Sequence, residues 1–359
     1  MVTSKNKQLF LTVVIPCLNE QTTISRAIKD AHKYAQKNFP KDYEIIVSDN
    51  GSTDKTPSIL KKFRSIRVIN VPVRGYGAAL HWGVTNAKGK YVLFADADLS
   101  YPFSNLTKLK PFLKDNPDLL LGSRLTGSIQ PGAMPLLHRY LGTPILTKLI
   151  NLIYKIPTSD CNSGMRIVKR SFYKKLNMRN SGMEWASELL LKTALKKGKY
   201  IETPIDFKKD KRGKAPHLST WADGWRHLKS IFLLKPSSLH PLLVIFPLLA
   251  SYFFSSSFAL TFLFLELTLV LFLCLLTLEL LRSIIEKRTN QISSFLLNFK
   301  LVPITAFVCL AVWVLVIFIP DSKLGTKLFL VSSSGIILMW IFLIETIKTH
   351  LANRLPDVK

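Results

Sequence analysis

From Leu239 to Leu281 the sequence is apolar almost throughout, and this run constrains everything else the chain can fold into. A bilayer core is crossed by about twenty helical residues, so the run is too long for one span. Ser255-Ser256-Ser257 near its middle supplies a turn, which divides it into spans at about 239–256 and 259–281. Two further spans follow at about 301–320 and 325–347, joined through Pro320-Asp321-Ser322-Lys323. Basic residues separate the two sides. Arg226, Lys229 and Lys235 precede the first span, Arg282, Lys287, Arg288 and Lys300 join the second to the third, and Lys348, Arg354 and Lys359 follow the fourth. The other two turns carry only Lys323. By the positive-inside bias, both termini and the whole region before the spans are expected on the cytoplasmic face. Glu266 and Glu279, in or near the second span, read as structural.

The net charge of +26 admits nucleic acid, anionic lipid or anionic small molecules as partners. The apolar runs favour lipid, and no nucleic-acid recognition motif is present, so no nucleic-acid partner is expected. Cys17, Cys161, Cys274 and Cys309 are scattered, with no CxxC pair and no nearby spaced histidines, which argues against zinc and against a disulfide framework. The N-terminal stretch is interrupted by Asn19 and Glu20 and is too short in apolar residues for a signal peptide.

Two segments outside the spans suit a membrane surface. In 219–234, Trp221, Trp225, Leu228 and Phe232 recur at helical spacing, with Arg226 and Lys229 off that stripe, which predicts an interfacial amphipathic helix. In Met134–Ile156, apolar residues alternate with His138, Arg139, Lys148 and Lys155.

The first two-thirds of the chain alternates strand and helix patterns. Strands are expected at Leu9–Pro16, Tyr43–Val47, Arg67–Val71 and Tyr91–Ala95. Helices are expected after Thr22 or Thr23 as cap, after a Thr56 cap with Pro57 at the first position, and from Gly75-Tyr76-Gly77 to near Gly89. Such alternation implies an α/β fold with a mainly parallel, Rossmann-like sheet whose ligand sits beyond the strand C-termini. The loops at 16–20, 48–54, 73–77 and 96–100 all fall on that edge. Asp96-Ala97-Asp98 follows an apolar strand. Two carboxylates one residue apart point the same way in extended chain and suit a hard divalent cation bridging a diphosphate. There is no GxxxxGK[ST], and the turn after the first strand is Pro16-Cys17-Leu18-Asn19-Glu20 rather than GxGxxG, which excludes a P-loop and disfavours a dinucleotide site.

The ordered series Val13-Val-Ile-Pro-Cys-Leu-Asn-Glu20, Ser48-Asp-Asn-Gly-Ser-Thr-Asp54, Arg74-Gly-Tyr-Gly-Ala-Ala-Leu80, Phe94-Ala-Asp-Ala-Asp98 and Gly122-Ser-Arg124 resembles the family 2 glycosyltransferases of GT-A fold, over roughly residues 9–230. Within that family it is similar to dolichyl-phosphate mannose synthases and polyprenyl-phosphate glucosyltransferases. The resemblance implies inverting transfer of a hexose from GDP-mannose or UDP-glucose to dolichyl or undecaprenyl phosphate. It implies nucleotide-sugar contacts at Pro16, Asn19, Glu20, Asp49 and Asp96, and Mg²⁺ or Mn²⁺ on Asp96 and Asp98. Asp98 would serve the leaving diphosphate. Arg124 and Arg139 would hold the acceptor phosphate, with Arg166 from Asp160-Cys-Asn-Ser-Gly-Met-Arg166 as helper. Ser100 stands where some relatives place a glutamine ligand, and Asn50 where an aspartate is common. Arg212 and Lys214 stand near a diverged R-x-G-x-S-K motif and could reach the donor diphosphate. Glu184 and Glu188 read as core-helix salt bridges. The implied organisation is a cytoplasmic catalytic domain at 1–216, an interfacial helix at 217–238, four spans within 239–350 and a tail at 351–359. Self-association is left open. The alternatives are a processive polysaccharide synthase, whose Q-x-x-R-W is absent, and a non-catalytic membrane adaptor.

Overall fold

The structure is a computed structural model and describes residues 9–213, 220–235 and 238. The four candidate spans, the tail and Lys214 lie outside the described residues, as do the side chains of Trp221 and Trp225. Among the described residues no helix is long and apolar enough to cross a membrane.

Seven strands form one sheet in the order β3-β2-β1-β4-β6-β5-β7. They are β1 Leu11–Cys17, β2 Tyr43–Asp49, β3 Arg67–Asn70, β4 Tyr91–Phe94, β5 Leu119–Ile129, β6 Arg166–Lys169 and β7 Tyr200–Phe207. The first four pair in parallel, as does β5 with β7; β6 runs antiparallel to both its neighbours. The sheet is therefore mainly parallel, as the alternating pattern predicts. The helices are α1 Ile24–Asn38, α2 Thr56–Leu60, α3 Tyr76–Thr85, α4 Asn105–Leu109, α5 Thr143–Tyr154, α6 Arg170–Leu176, α7 Trp185–Leu195 and α8 Thr220–Leu234.

The central strands are buried on both faces, so β1 and β4 read as unbroken apolar runs rather than alternating ones. On α1, Ile24, Ala27, Ile28, Ala31 and Ala35 form one buried stripe at three- and four-residue spacing. Two of the expected caps differ in detail. The Thr23 hydroxyl goes to Glu20 Oε2 at 2.8 Å instead of capping α1. Thr56 lies inside α2, its N–H donating to Asp54 Oδ1 at 2.8 Å, while its own hydroxyl accepts from the Glu20 N–H. In both places a side chain fixes the neighbouring loop rather than its own helix.

Chain order reverses between β1 and β4: β2 and β3 extend one way from β1, and β4 starts the other half. In open α/β sheets a crevice opens beyond the strand ends at such a point. Cys17 pairs with Asp49, and Val14 with Phe94, so the loops leaving β1, β2 and β4 emerge together.

Helix α8 is anchored to this unit by two polar contacts. Tyr154 donates to the Ile231 carbonyl at 2.6 Å, one of the last four carbonyls of α8 that lack a helical partner. Ser187 Oγ lies 2.7 Å from His227 Nδ1. His227, Ser230 and Ile231 are the buried positions, while Leu228 is half-buried and Arg226 exposed.

Candidate active site

The loop after β1 turns at Asn19, whose φ of +57° is left-handed. Its side chain accepts from the Thr53 N–H at 2.8 Å, and its own N–H donates to Ser52 Oγ at 2.9 Å. Asn19 thus ties the first loop to the second. Asp49 Oδ1 takes both the Ser52 N–H and its hydroxyl, at 3.0 and 2.6 Å, closing a tight Asx turn at the end of β2. Asn50 donates to the Val73 carbonyl and accepts from the Gly75 N–H, both at 2.7 Å. An aspartate could accept but not donate, so the amide is the group that satisfies both ends. Gly75, at φ +139°, packs so closely that a Cβ would overlap the Ser181 carbonyl. Three loops are thereby fixed to one another before any ligand arrives.

Tyr76, the first residue of α3, donates to Asp96 Oδ1 at 2.9 Å. Beyond Asp98 the backbone reverses at Leu99, a bulky residue held at φ +66°. Such a conformation costs on the order of 1–3 kcal/mol and is a mark of functional loops. It is held by the Ser100 N–H on Asp98 Oδ1 at 2.8 Å, and by Lys208 and Lys211, whose N–H groups donate to the Ser100 and Asp98 carbonyls. Asp98 and Glu20 are buried and Asp96 half-buried. Burial, then the charge of Asp98, pushes the Asp96 carboxyl up to about 7. Burial likewise raises Glu20, against the Thr23 hydrogen bond and the Arg212 charge. Burial is the larger cause of both shifts, and a cation bound there would favour the charged carboxylates that burial disfavours. Gly164 leaves room on the open side, since a Cβ there would come within 3.0 Å of Asp96 Oδ2. Among the described residues no group of three or more His, Cys, Asp or Glu gathers as a metal cage. The two carboxylates are an oxygen-only partial set, which fits a hard cation sharing its remaining positions with water and substrate oxygens. Ser100 is buried beside them.

The arginines sort differently from the expectation. Arg166 is 1% exposed, and its guanidinium donates to the carbonyls of Ser163, Cys161 and Ala186. Three backbone acceptors take up its fork, and in this arrangement Arg166 pins the 160–164 loop to the start of α7. Arg124 is buried and bidentate to Asp160, Nε to Oδ2 and Nη2 to Oδ1, each at 2.7 Å, with Phe207 beneath its plane at 5.3 Å. Its geometry is that of a fixed pair. Arg139 is half-buried in a helical turn at His138–Gly142, over the Tyr140 ring. Arg212 enters this acidic edge, between Glu20 and Asp98. Of the two glutamates, Glu188 makes the expected salt bridge, 2.6 Å to Lys192, and also accepts from the Arg179 and Asn180 N–H groups. Glu184 is buried with Oε2 unpartnered.

The segment around Arg139 is inverted. On α5 the buried stripe is Thr143, Thr147, Ile150 and Tyr154, whereas Ile145, Lys148, Leu152 and Lys155 face outward. Leu136, Leu137, Tyr140 and Leu141 are also exposed, Leu136 by 74% and Leu152 by 77%. Six of the eight large apolar side chains left exposed among the described residues lie between 136 and 152. No Asp or Glu occurs from Leu119 to Ser159. A patch this apolar on a folded surface marks an interaction face.

Residues 12–176 match the family model described as glycosyl transferase family 2. The low-salt glycan biosynthesis hexosyltransferase Agl6 of Haloferax volcanii is 36% identical over 230 residues, 64% of this chain. The chain spans 54% of that relative's length. A dolichyl-phosphate hexose transferase of the same organism is 28% identical over 222 residues, covering 62% of this chain and 92% of its own. An uncharacterized protein of Methanocaldococcus jannaschii is 32% identical over 202 residues, 54% of this chain and 79% of its own.

Proposed function

The chain belongs to glycosyl transferase family 2, and we propose that it transfers a hexose from a nucleotide-diphosphate sugar to a polyprenyl phosphate at a membrane surface. The observation that carries this reading is the pairing of an acidic, loop-braced sheet edge with an inverted, acid-free apolar segment in one unit. The second Haloferax relative, a dolichyl-phosphate hexose transferase, supports a dolichyl phosphate as acceptor. GDP-mannose and UDP-glucose are the candidate donors.

On this reading Asp96 and Asp98 would hold Mg²⁺ or Mn²⁺, which supplies charge neutralisation of the leaving diphosphate. Pro16, Asn19, Glu20 and Asp49 form the nucleotide side. A phosphate monoester is largely dianionic at neutral pH and attacks the anomeric carbon without a strong base. The protein's part is then orientation and charge compensation. Arg139, in the exposed apolar turn, is placed to meet a phosphate at a bilayer surface. Arg124, held bidentate by Asp160, would offer that phosphate only the N–H groups the pair leaves free. The outward face of 136–152 and helix α8 would lie against lipid, where basic residues favour anionic headgroups. The basic bias of the loops between the expected spans supports a multi-pass protein with this unit on the cytoplasmic face.

The test is incubation of the full chain with labelled GDP-mannose or UDP-glucose and a polyprenyl phosphate, with and without Mg²⁺ or Mn²⁺, followed by lipid extraction. Metal-dependent label in a single glycolipid supports the reading. Label in a long polymer would favour a processive synthase, and no metal-dependent transfer of any nucleotide sugar would favour a non-catalytic adaptor.

A further inference from the structure

Arg212 lies in the donor site with more acidic partners than one charge can balance. Its Nη2 is 3.5 Å from Asp98 Oδ2 and its Nη1 is 3.4 Å from Glu20 Oε1. Asp210 holds it more closely, with Oδ2 at 2.7 Å from Nε and Oδ1 at 2.7 Å from the Arg212 N–H. The two long contacts are those to the site, and the three short ones, with Nη2 at 2.5 Å from Asp210 Oδ2 the shortest, are to the neighbour that aims the side chain. The backbone leading to it is hydrogen-bonded to the Asp96–Ser100 loop through Lys208 and Lys211. The guanidinium therefore belongs to the same rigid edge as the carboxylates it faces.

The oxygens show what this arrangement excludes. Asp98 Oδ1 accepts from the Ser100 N–H, and Arg212 faces the other oxygen, Oδ2, which a cation would have to share with it. Asp96 Oδ1 accepts from Tyr76, which leaves Oδ2 beside Gly164. A bare divalent ion at this site would have to displace Arg212 from Asp98 or sit close to its positive charge. A cation arriving with a nucleoside diphosphate meets a different balance. The diphosphate offers the guanidinium oxygens of the same spacing as a carboxylate, so the fork can exchange partners without leaving the site.

We infer that Arg212 is a counter-ion built into the donor site: it opposes binding of metal alone and favours binding of metal with a nucleoside diphosphate. Asp210 is its positioning residue. This rests on the reading of Asp96 and Asp98 as a metal site and adds to it an order, in which metal and nucleotide enter together.

The test is titration of Mn²⁺ into the full-length protein, followed by the electron paramagnetic resonance signal of the free ion, with and without UDP or GDP. Wild type should bind Mn²⁺ weakly alone and more tightly with the matching nucleotide. R212Q should bind Mn²⁺ alone about tenfold more tightly, because a nearby positive charge is gone. The same variant should bind nucleotide in the presence of Mn²⁺ about tenfold or more weakly, because charged hydrogen bonds are lost. Opposite signs from one substitution are the signature. R212K, which keeps the charge and loses the fork, should leave Mn²⁺ affinity near wild type and still weaken nucleotide. D210N, which removes the carboxylate that offsets the Arg212 charge and lets the guanidinium close on Asp98, should weaken binding of Mn²⁺ alone, opposite in sign to R212Q. If R212Q leaves Mn²⁺ affinity unchanged, or weakens metal and nucleotide together, the inference is overturned. If wild type binds no Mn²⁺ with either nucleotide, the metal-site reading itself fails, a result separate from the first.

Discussion

The loops at the ends of β1, β2 and β4 and the segment from Leu119 to Ser159 solve opposite problems. The first region is polar, contracted and tied together by side chain to backbone bonds: Asn19 to Thr53, Asp49 to Ser52, Asn50 to Val73 and Gly75. It keeps four carboxylates, Glu20, Asp96, Asp98 and Asp210, around one arginine. The second has no carboxylate at all and turns Leu136, Leu137, Tyr140, Leu141, Ile145 and Leu152 outward. A dissolved, highly charged ligand needs preorganised dipoles and counter-charge; a ligand embedded in lipid needs a surface that leaves water readily. The contrast teaches that the two substrates proposed here would be read by different physics, and each half can be disabled separately.

The largest effect is expected at the donor edge. Asp98→Ala should lower transfer about a thousandfold or more, as for other groups that stabilise developing charge, measured by label in the lipid extract. Its melting temperature should stay close to wild type, because Asp98 takes no part in the apolar core. Next comes the pair behind the acceptor side. Asp160→Ala leaves the Arg124 guanidinium buried without its partner and should cost about 3–5 kcal/mol in denaturant unfolding. A cost near zero would mean that Arg124 is free to swing to a phosphate.

The third prediction concerns pH. His81 is buried, with Nδ1 2.8 Å from the Tyr173 hydroxyl, which in turn accepts from Trp185 Nε1 at 3.1 Å. The indole can only donate, so the Tyr173 oxygen accepts there and its own proton is available to His81 Nδ1. Burial lowers its pKa from 6.5 to about 4. The unfolded chain therefore binds a proton first as the pH falls. The stability from neutral His81 is complete above pH 6.5 and is lost progressively down to about 4. The loss amounts to about 3 kcal/mol over that window. Unfolding measured at pH 7 and pH 4.5 should differ less in His81→Phe than in wild type.

The smallest effect is expected on the apolar face. Leu152→Glu should raise the KM for the lipid acceptor about tenfold or more and leave nucleotide affinity unchanged, since one exposed leucine contributes on the order of 1.5–3 kcal/mol when buried in lipid. An equal loss of nucleotide binding would erase the distinction between the two regions.

The fold was largely legible because strand and helix periods are local. Apolar runs at Leu11–Cys17 and Tyr91–Phe94 announce buried parallel strands, and the loops that follow them sit at the expected edge. The antiparallel β6, reached through the 160–164 loop, has no local signal, because its direction is set by where a long connection returns. The arginines show the same limit. Their partners lie 36 residues away for Arg124 and up to 192 for Arg212, so composition shows the charge but not whether a carboxylate has claimed it. Motif spacing likewise says nothing of the three backbone carbonyls that close around Arg166. The Met134–Ile156 segment was legible as a surface, but its inversion, threonines inward and leucines outward, needed the packing of α5 to be seen.

The central claim, two substrate regions with separate chemistry, is most directly tested by hydrogen–deuterium exchange on the full chain in nanodiscs. Exchange is followed in anionic lipid with and without Mn²⁺ plus UDP or GDP, and in neutral detergent as the reference. The account predicts that nucleotide slows exchange at 16–21, 48–54 and 96–100 and leaves 135–153 unchanged. Anionic lipid should slow 135–153 and leave the three loops unchanged. Protection of 135–153 by nucleotide alone, or no protection there by lipid, would contradict it.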